Sequence, residues 1–291
     1  MRAADAWKDY ELLDCSDGER LERWGEIILV RPDPQVIWKT QRKDPLWYDP
    51  HAHYRRSAQG GGAWDIRKKI PDSWSVNYKE LKFNVKTMGF KHTGVFPEQA
   101  VNWDLLSSTI KSAQRQLKVL NLFAYTGAAT VACLKAGAAV VHVDAAKGMV
   151  NWAKENATSS GLAEMPVRWI VDDCIKFVQR EIRRGNVYDI ILMDPPSYGR
   201  GPGGEVWNLE SEIYSLVERC TSLLNERSLM LMINSYTTGF SPSTVQYILG
   251  DLLAKKLGGT VSGDEIGLPV TASGLVLPCG ATSVWHNRTV K

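Results

Sequence analysis

The stretch Val119-Leu120-Asn121-Leu122-Phe123-Ala124-Tyr125-Thr126-Gly127-Ala128-Ala129 is an apolar run that breaks into a turn of small residues and opens a helical pattern. Such a run reads as a buried strand of a parallel sheet, with the turn at its carboxyl end, where backbone amides can approach a ligand. The next strand candidate, Val140 to Val143, is followed by Asp144, seventeen residues after Gly127. An acid at that place is positioned to accept both hydroxyls of a ribose. Only one glycine lies between Phe123 and Ala129, so the G-x-G-x-x-G of dinucleotide enzymes is absent and a nicotinamide dehydrogenase is disfavoured. The inference is a ligand with a ribose and no pyrophosphate.

Outward from this point, strand candidates alternate with helical patterns: Val119 to Phe123, Val140 to Val143, Val167 to Val171, Tyr188 to Met193 and Leu229 to Ile233. Regular alternation of this kind predicts a doubly wound, mostly parallel α/β sheet covered on both faces. Leu209, Ile213, Leu216, Val217, Cys220, Leu223 and Leu224 recur at helical spacing, and a further helix is expected after Ser243 as its N-cap. Glu265 to His286, punctuated by Gly267, Pro269, Gly274, Pro278 and Gly280, reads as a closing antiparallel hairpin. The first hundred residues lack the alternation. Short β-like runs (Ile27 to Val30; Leu81, Phe83, Val85) are separated by Pro32, Pro34, Pro45, Pro50 and Gly60-Gly61-Gly62, which mark turns and a loose loop. The chain is therefore divided into a small β-rich lobe, 1–95, and an α/β domain, 96–291.

Composition sets the wider bounds. With 291 residues, 44% hydrophobic and 23% charged, the chain is an ordinary folded protein of one or two domains. No apolar run reaches the ~18 residues of a membrane span, and Asp5 and Asp9 interrupt the start where a signal peptide needs an apolar core, so a cytoplasmic protein is expected. Five scattered cysteines without a C-x-x-C pair signal neither disulfides nor zinc, and no metal is expected. The net charge of +3 is small, but residues 51–91 hold nine Lys and Arg against three acids, interleaved with Tyr54, Trp64, Trp74, Tyr78, Phe83 and Phe90. Basic residues among aromatics suit a polyanion whose bases can stack, and Arg67, Lys68 and Lys69 are the chosen candidates; the alternative is a solvated charged face.

The fourth strand candidate ends in Asp194-Pro195-Pro196-Ser197-Tyr198. Two prolines stiffen the backbone at the ligand face, where the Asp194 carboxylate and the Pro195 and Pro196 carbonyls can orient an amino or ring nitrogen, and Tyr198 can stack on a planar base. With N-L-F-A-Y-T-G-A at 121–128, V-D-A-A-K at 143–147, V-D-D at 171–173, D-P-P-S-Y at 194–198 and H-T-G-V-F-P-E-Q at 92–99, the chain resembles class I S-adenosylmethionine-dependent methyltransferases. Within them it is similar to the group of bacterial 23S ribosomal RNA methyltransferases that make 5-methylcytosine or 7-methylguanine, over roughly residues 76–291. The resemblance implies a seven-stranded Rossmann-like sheet with S-adenosylmethionine as cofactor. It implies that Phe123, Tyr125, Thr126 and Gly127 line the methionine side, closed by Phe96 and Gln99. Asp144 would hold the ribose, Ala145 would pack on adenine, and Asp173 would face the adenine amino group with the Cys174 backbone beside it. Asp194 and Pro195 would sit near the methyl group.

One departure from that group bears on the chemistry. Relatives that methylate cytosine carbon 5 carry a nucleophilic Cys after the fifth strand, because that carbon is unreactive until a thiolate adds to the ring. Here the stretch is Ile233-Asn234-Ser235-Tyr236, with Tyr236 at the thiol position and Cys279 as the one substitute. The expected reaction is direct transfer to a nitrogen or oxygen of RNA, ribosomal RNA first. A cytosine-C5 enzyme, a protein or small-molecule methyltransferase and a non-catalytic RNA-binding protein are the alternatives.

Overall fold

A computed structural model describes residues 1–57, 61–200, 206–237 and 240–287, so Gly60 of the glycine run lies outside the described residues. The chain divides into two units, Met1–Val101 with Ile266–Cys279 and Asn102–Glu265 with Gly280–Lys291.

The second unit carries the alternation read from the sequence. Its strands are β1 (Lys118–Leu122), β2 (Ala139–Asp144), β3 (Val167–Val171), β4 (Ile190–Met193) and β5 (Met230–Ser235), followed by β6 (Thr260–Pro269) and β7 (Val276–His286), whose tip, Ile266–Cys279, belongs to the first unit. The order is β6-β7-β5-β4-β1-β2-β3; β1 to β5 run parallel and β7 pairs antiparallel with β5. The expected sheet and closing hairpin are therefore present. An edge strand that the sequence did not suggest, Arg2–Ala3, extends the hairpin tip by pairing parallel with Ile266–Gly267.

Helices α1 (Ala100–Ser112), α2 (Ala128–Lys135), α3 (Lys147–Ser159), α4 (Cys174–Arg183), α5 (Leu209–Thr221) and α6 (Pro242–Leu249) complete the unit. Alternate side chains of the central strands face opposite layers. Leu120, Leu122, Val141, Val143, Ile191, Met193, Leu231 and Ile233 form one apolar core with Phe177 and Val178 of α4, Ile213, Leu216 and Val217 of α5 and Val245 and Leu249 of α6. Each such side chain contributes on the order of 1.5–3 kcal/mol by leaving water. The opposite face carries Asn121 and His142 beneath α2 and α3. Asn208 caps α5, accepting from Glu210 and Ser211 N–H at 3.0 and 3.4 Å. The cap of α6 is Ser241, which accepts from Ser243 N–H at 3.2 Å, so the expected cap at Ser243 is corrected: Pro242 fits the first helical position and the helix starts there. Asn102 Nδ2 donates to Asn234 Oδ1 and Thr282 Oγ1 at 3.0 and 2.8 Å, tying α1 to the carboxyl end of β5 and to β7.

The first unit holds a five-stranded sheet in chain order, Tyr10–Ser16, Glu19–Trp24, Ile27–Pro32, Ala52–Arg56 and Gly62–Ile66, and a separate hairpin, Trp74–Tyr78 with Leu81–Val85. Leu21, Ile28, Val30 and Trp47 form a small apolar cluster. Beside it, Arg20 and Arg31 stand opposite each other across two strands, Arg31 bonded to Glu22 at 2.5 and 2.7 Å and Arg20 paired with Asp33 at 3.1 Å.

Candidate functional site

The carboxyl ends of β1 to β4 are joined through their backbones. Ala124 N–H donates to the Val143 carbonyl at 3.0 Å, Asp172 N–H to the Asp144 carbonyl at 3.0 Å, and Asp194 N–H to the Leu122 carbonyl at 3.4 Å. This brings the Phe123–Gly127 turn, Asp144, the Asp172–Asp173 pair and the Asp194–Tyr198 loop to one rim of the sheet.

The turn is held in a costly shape. Phe123 and Tyr125 have φ of 53° and 49°, a left-handed conformation uncommon for bulky residues and found where the surroundings over-determine it. Phe123 N–H donates to Cys174 Sγ at 3.3 Å, and Tyr125 N–H to Asp144 Oδ2 at 2.8 Å. Gly127, at φ 78°, caps α2; a Cβ there would stand 2.7 Å from that of Ala153, so the close passage of α3 requires glycine. Phe123 and Tyr125 are part-exposed, whereas Thr126 and Gly127 are buried. The buried Thr126 helps to shape the turn, its carbonyl accepting from Asn156 Nδ2 at 2.9 Å. Below the turn, Asn121 Nδ2 donates to Thr130 Oγ1 at 2.9 Å, and Thr130 meets His142 Nδ1 at 3.0 Å. Burial pushes His142 down to about 3, so this network is neutral.

Asp144 receives the N–H of Tyr125 on one oxygen and that of Ala146 on the other, both at 2.8 Å. Burial raises its carboxyl and these two bonds lower it, leaving it above the ordinary value. Each oxygen keeps a lone pair, the acceptor set that two ribose hydroxyls require. Ala145 is exposed beside it. Asp173 is the N-cap of α4, its Oδ1 accepting from Lys176 N–H at 2.9 Å, and Asp172 pairs with Arg180. Cys174 follows, its thiol buried against β2 and the turn. A strained turn with part-exposed aromatic rings, a carboxylate met only by amides and an exposed alanine between them fit a nucleoside cofactor bearing a short side chain.

In the Asp194–Tyr198 loop, Pro195 is buried while Pro196, Ser197 and Tyr198 are exposed, Tyr198 by 55%. The Pro196 carbonyl accepts the Trp207 indole N–H at 2.6 Å, which fixes its direction and leaves its second lone pair. Ser197 Oγ lies 2.6 Å from Thr237 Oγ1. Trp207, Asn156 and the Asn121–Thr130–His142 network were not singled out by the sequence, where each sits inside an ordinary helix or strand pattern.

Phe96 and Gln99 belong to the first unit, as the N-cap and last residue of the short helical turn Pro97–Gln99, with Gln99 N–H donating to the Phe96 carbonyl at 3.1 Å. All five thiols are buried; burial pushes Cys15 to about 11, Cys133 and Cys220 to about 12, and Cys174 and Cys279 well up. Among the described residues there is no cluster of metal-ligating side chains, and no helix is long and apolar enough to cross a membrane.

Comparison with known proteins agrees with this geometry. The ribosomal RNA large subunit methyltransferase K/L of Shewanella frigidimarina is 29% identical over 156 residues, 53% of this chain and 21% of that protein. Its counterpart from Colwellia psychrerythraea is 26% identical over 176 residues, 60% of this chain and 22% of that protein. The chain thus spans about a fifth of the length of these curated relatives. The crystal structure of a SAM-dependent methyltransferase from Agrobacterium tumefaciens matches with TM-score 0.92 at 36% identity, covering 97% of this chain and 91% of that one. SMU.776, solved in complex with SAH, shares the fold at TM-score 0.74 and 18% identity, covering 97% and 76%. Residues 52–243 match the family model of S-adenosylmethionine-dependent methyltransferases, a match that begins upstream of residue 76, and the chain belongs to that family.

Proposed function

We propose that this enzyme transfers the methyl group of S-adenosylmethionine directly to a nitrogen or oxygen of RNA in the cytoplasm, with ribosomal RNA as the first substrate to test. The carrying observation is an Asp-Pro-Pro loop beside the cofactor turn in a chain whose five thiols are all buried. A cytosine-carbon reaction needs an accessible thiolate, and burial opposes one at each cysteine, Cys279 included. The K/L names of the relatives support RNA as the substrate class.

Phe123, Tyr125, Thr126 and Gly127, with Phe96 and Gln99, are assigned to the methionine side, Asp144 to the ribose, and Ala145, Asp173 and the Cys174 backbone to the adenine. The cofactor supplies an electrophilic methyl on a sulfonium, so orientation is the protein's main task. The Asp194 carboxylate and the Pro195 and Pro196 carbonyls accept hydrogen bonds from the acceptor and aim its lone pair, Tyr198 stacks on the base, and Asp194 Oδ takes the proton released. The lobe 1–95 is assigned to substrate recognition.

Nucleoside mass spectrometry of ribosomal RNA from cells with and without the gene tests the reading. Loss of one methylated nucleoside on a nitrogen or oxygen is expected; unchanged RNA points to a protein or small-molecule acceptor. Loss of 5-methylcytidine, or a covalent adduct with 5-fluorocytidine RNA that disappears in Cys279→Ser, would restore the cytosine-carbon mechanism.

A further inference from the structure

Trp207 touches both halves of the rim. Its indole N–H donates to the Pro196 carbonyl at 2.6 Å, and its ring lies 5.1 Å, centroid to centroid, from that of Phe123 at a tilt of 49°. At 8% exposure the indole is largely shielded from water, where a hydrogen bond is harder to replace. The backbone repeats the connection: Trp207 faces Gly199 in the antiparallel ribbon formed by Tyr198–Arg200 and Val206–Asn208. A Cβ at Gly199 would touch Pro196 Cγ at 3.5 Å and Trp207 Cβ at 3.9 Å, so the ribbon closes onto the loop. The next residues join the same loop to α5. Asn208 caps α5, and Leu209 N–H donates to the Ser197 carbonyl at 3.0 Å.

Phe123 needs such support. A bulky residue at φ 53° does not hold that conformation alone, and a fixed ring against its own is one of the contacts that can hold it. The Asp194–Tyr198 loop needs it as well, because neither proline carries an N–H with which to anchor itself.

We propose that Trp207 is a positioning residue for methyl transfer, its N–H fixing the Pro196 carbonyl and its ring fixing Phe123, so that the acceptor loop and the cofactor turn keep one spacing. The functional part of this statement rests on the proposed assignment of loop and turn; the mechanical coupling rests on the contacts alone. An error of ~1 Å between reacting groups can cost on the order of a hundredfold in rate, which gives such a brace its value.

The test is amide hydrogen exchange by mass spectrometry together with calorimetric titration of S-adenosylhomocysteine, on the full chain and on Trp207→Phe, Trp207→Leu and Asp144→Ala. Trp207→Phe keeps a ring and loses the N–H: exchange at Tyr198 and Gly199 should rise about tenfold while cofactor affinity stays within about twofold. Trp207→Leu should raise exchange in both 197–200 and 124–127 and weaken cofactor binding about tenfold. Exchange in 124–127 unchanged in Trp207→Leu, or a rise confined to 206–208, overturns the brace. Should the Leu variant not fold, unchanged loop exchange in Trp207→Phe overturns it equally. Undiminished affinity in Asp144→Ala would instead sink the cofactor assignment, with the exchange results still deciding the coupling.

Discussion

Glu22 and Asp144 are both carboxylates removed from water, one in each unit, and their surroundings treat them in opposite ways. Glu22 is fully buried, receives Arg31 through two nitrogens, has Arg20 Nη1 at 3.7 Å and accepts the Tyr10 hydroxyl at 2.9 Å. Burial raises its carboxyl, but Arg31 and Arg20 outweigh burial and leave it below the ordinary value. Asp144 meets two backbone N–H groups, burial prevails, and its carboxyl stands above the ordinary value. A carboxylate enclosed by arginines has its bonding completed within the fold. One met only by amides keeps acceptor capacity for a ligand, which is the pattern of functional sites.

Breaking the enclosed carboxylate should produce the largest effect. Glu22→Ala leaves Arg31 buried without its partner, and loss of one member of a buried pair costs about 3–5 kcal/mol. Urea denaturation should show a loss of unfolding free energy of that size, and a loss below about 1 kcal/mol would mean the cluster is more solvated than its burial implies. The sign with pH follows from the lowered value. The stabilisation from Glu22 is present above the carboxylate's unfolded pKa and is lost as pH falls through its lower folded one.

Asp144→Ala should instead cost less stability than Glu22→Ala, through the two amides it leaves without an acceptor, and remove cofactor affinity. Two charge-assisted bonds to ribose are together worth on the order of 3 kcal/mol, roughly a hundredfold in Kd. Because its folded pKa is raised, Asp144 contributes no stability as a charge; the folded state is penalised as pH rises through that interval. Cofactor affinity runs the other way, falling on acidification as the carboxylate gains a proton. Calorimetry across the acid range should show this fall in the wild type and its absence in Asp144→Asn.

The two carboxylates were not equally legible. Asp144 follows a short apolar run, and the D-P-P-S-Y loop is local, so strand order alone placed both at the rim. Glu22 reads as one charge in a run of alternating charges; its role depends on the register of Glu19–Trp24 against Ile27–Pro32, which short-range pattern does not carry. The resemblance assigns a role only to the backbone of Cys174, yet its thiol accepts the N–H of Phe123, 51 positions away. His142 and Asn121 lie within apolar strands and pass for polar interruptions, because their partner Thr130 is on a helix. The strand Arg2–Ala3 is too short to show a period.

His142 sharpens the comparison further, being a buried titratable group with no opposite charge. Its Nδ1 meets Thr130, and burial alone holds it at about 3. The unfolded chain takes up this proton below about pH 6.5 while the folded chain does not, so stability should fall on acidification by about 1.4 kcal/mol per pH unit until the folded value is approached. His142→Gln should flatten that slope between pH 6 and pH 4, by about one proton's worth, in urea titrations at fixed temperature. An unchanged slope would mean that His142 gains its proton in the folded state.

The smallest effect concerns the exposed charges of the first unit, where the structure revises which cations are worth testing. Arg67 pairs with Asp65 at 3.1 Å and donates to the Tyr48 carbonyl, and Lys68 pairs with Asp49 at 2.7 Å, an acid outside the window in which the excess of positive charge was counted. Arg55 and Arg56 are exposed at the end of their strand. A phosphate approaching Arg67 or Lys68 must compete with a carboxylate already in contact, so these two should release fewer counterions on binding RNA. Charge reversal at Arg55 and Arg56 is expected to lower the salt dependence of single-stranded RNA binding by about 0.7 in log–log slope per lost contact, and reversal at Arg67 and Lys68 by less. Folding stability should not change measurably in either pair, since exposed ion pairs contribute little. Fluorescence anisotropy with labelled RNA over a series of salt concentrations reads both slopes. Equal slopes in all variants and the wild type would make this surface an ordinary solvated face and move RNA recognition elsewhere.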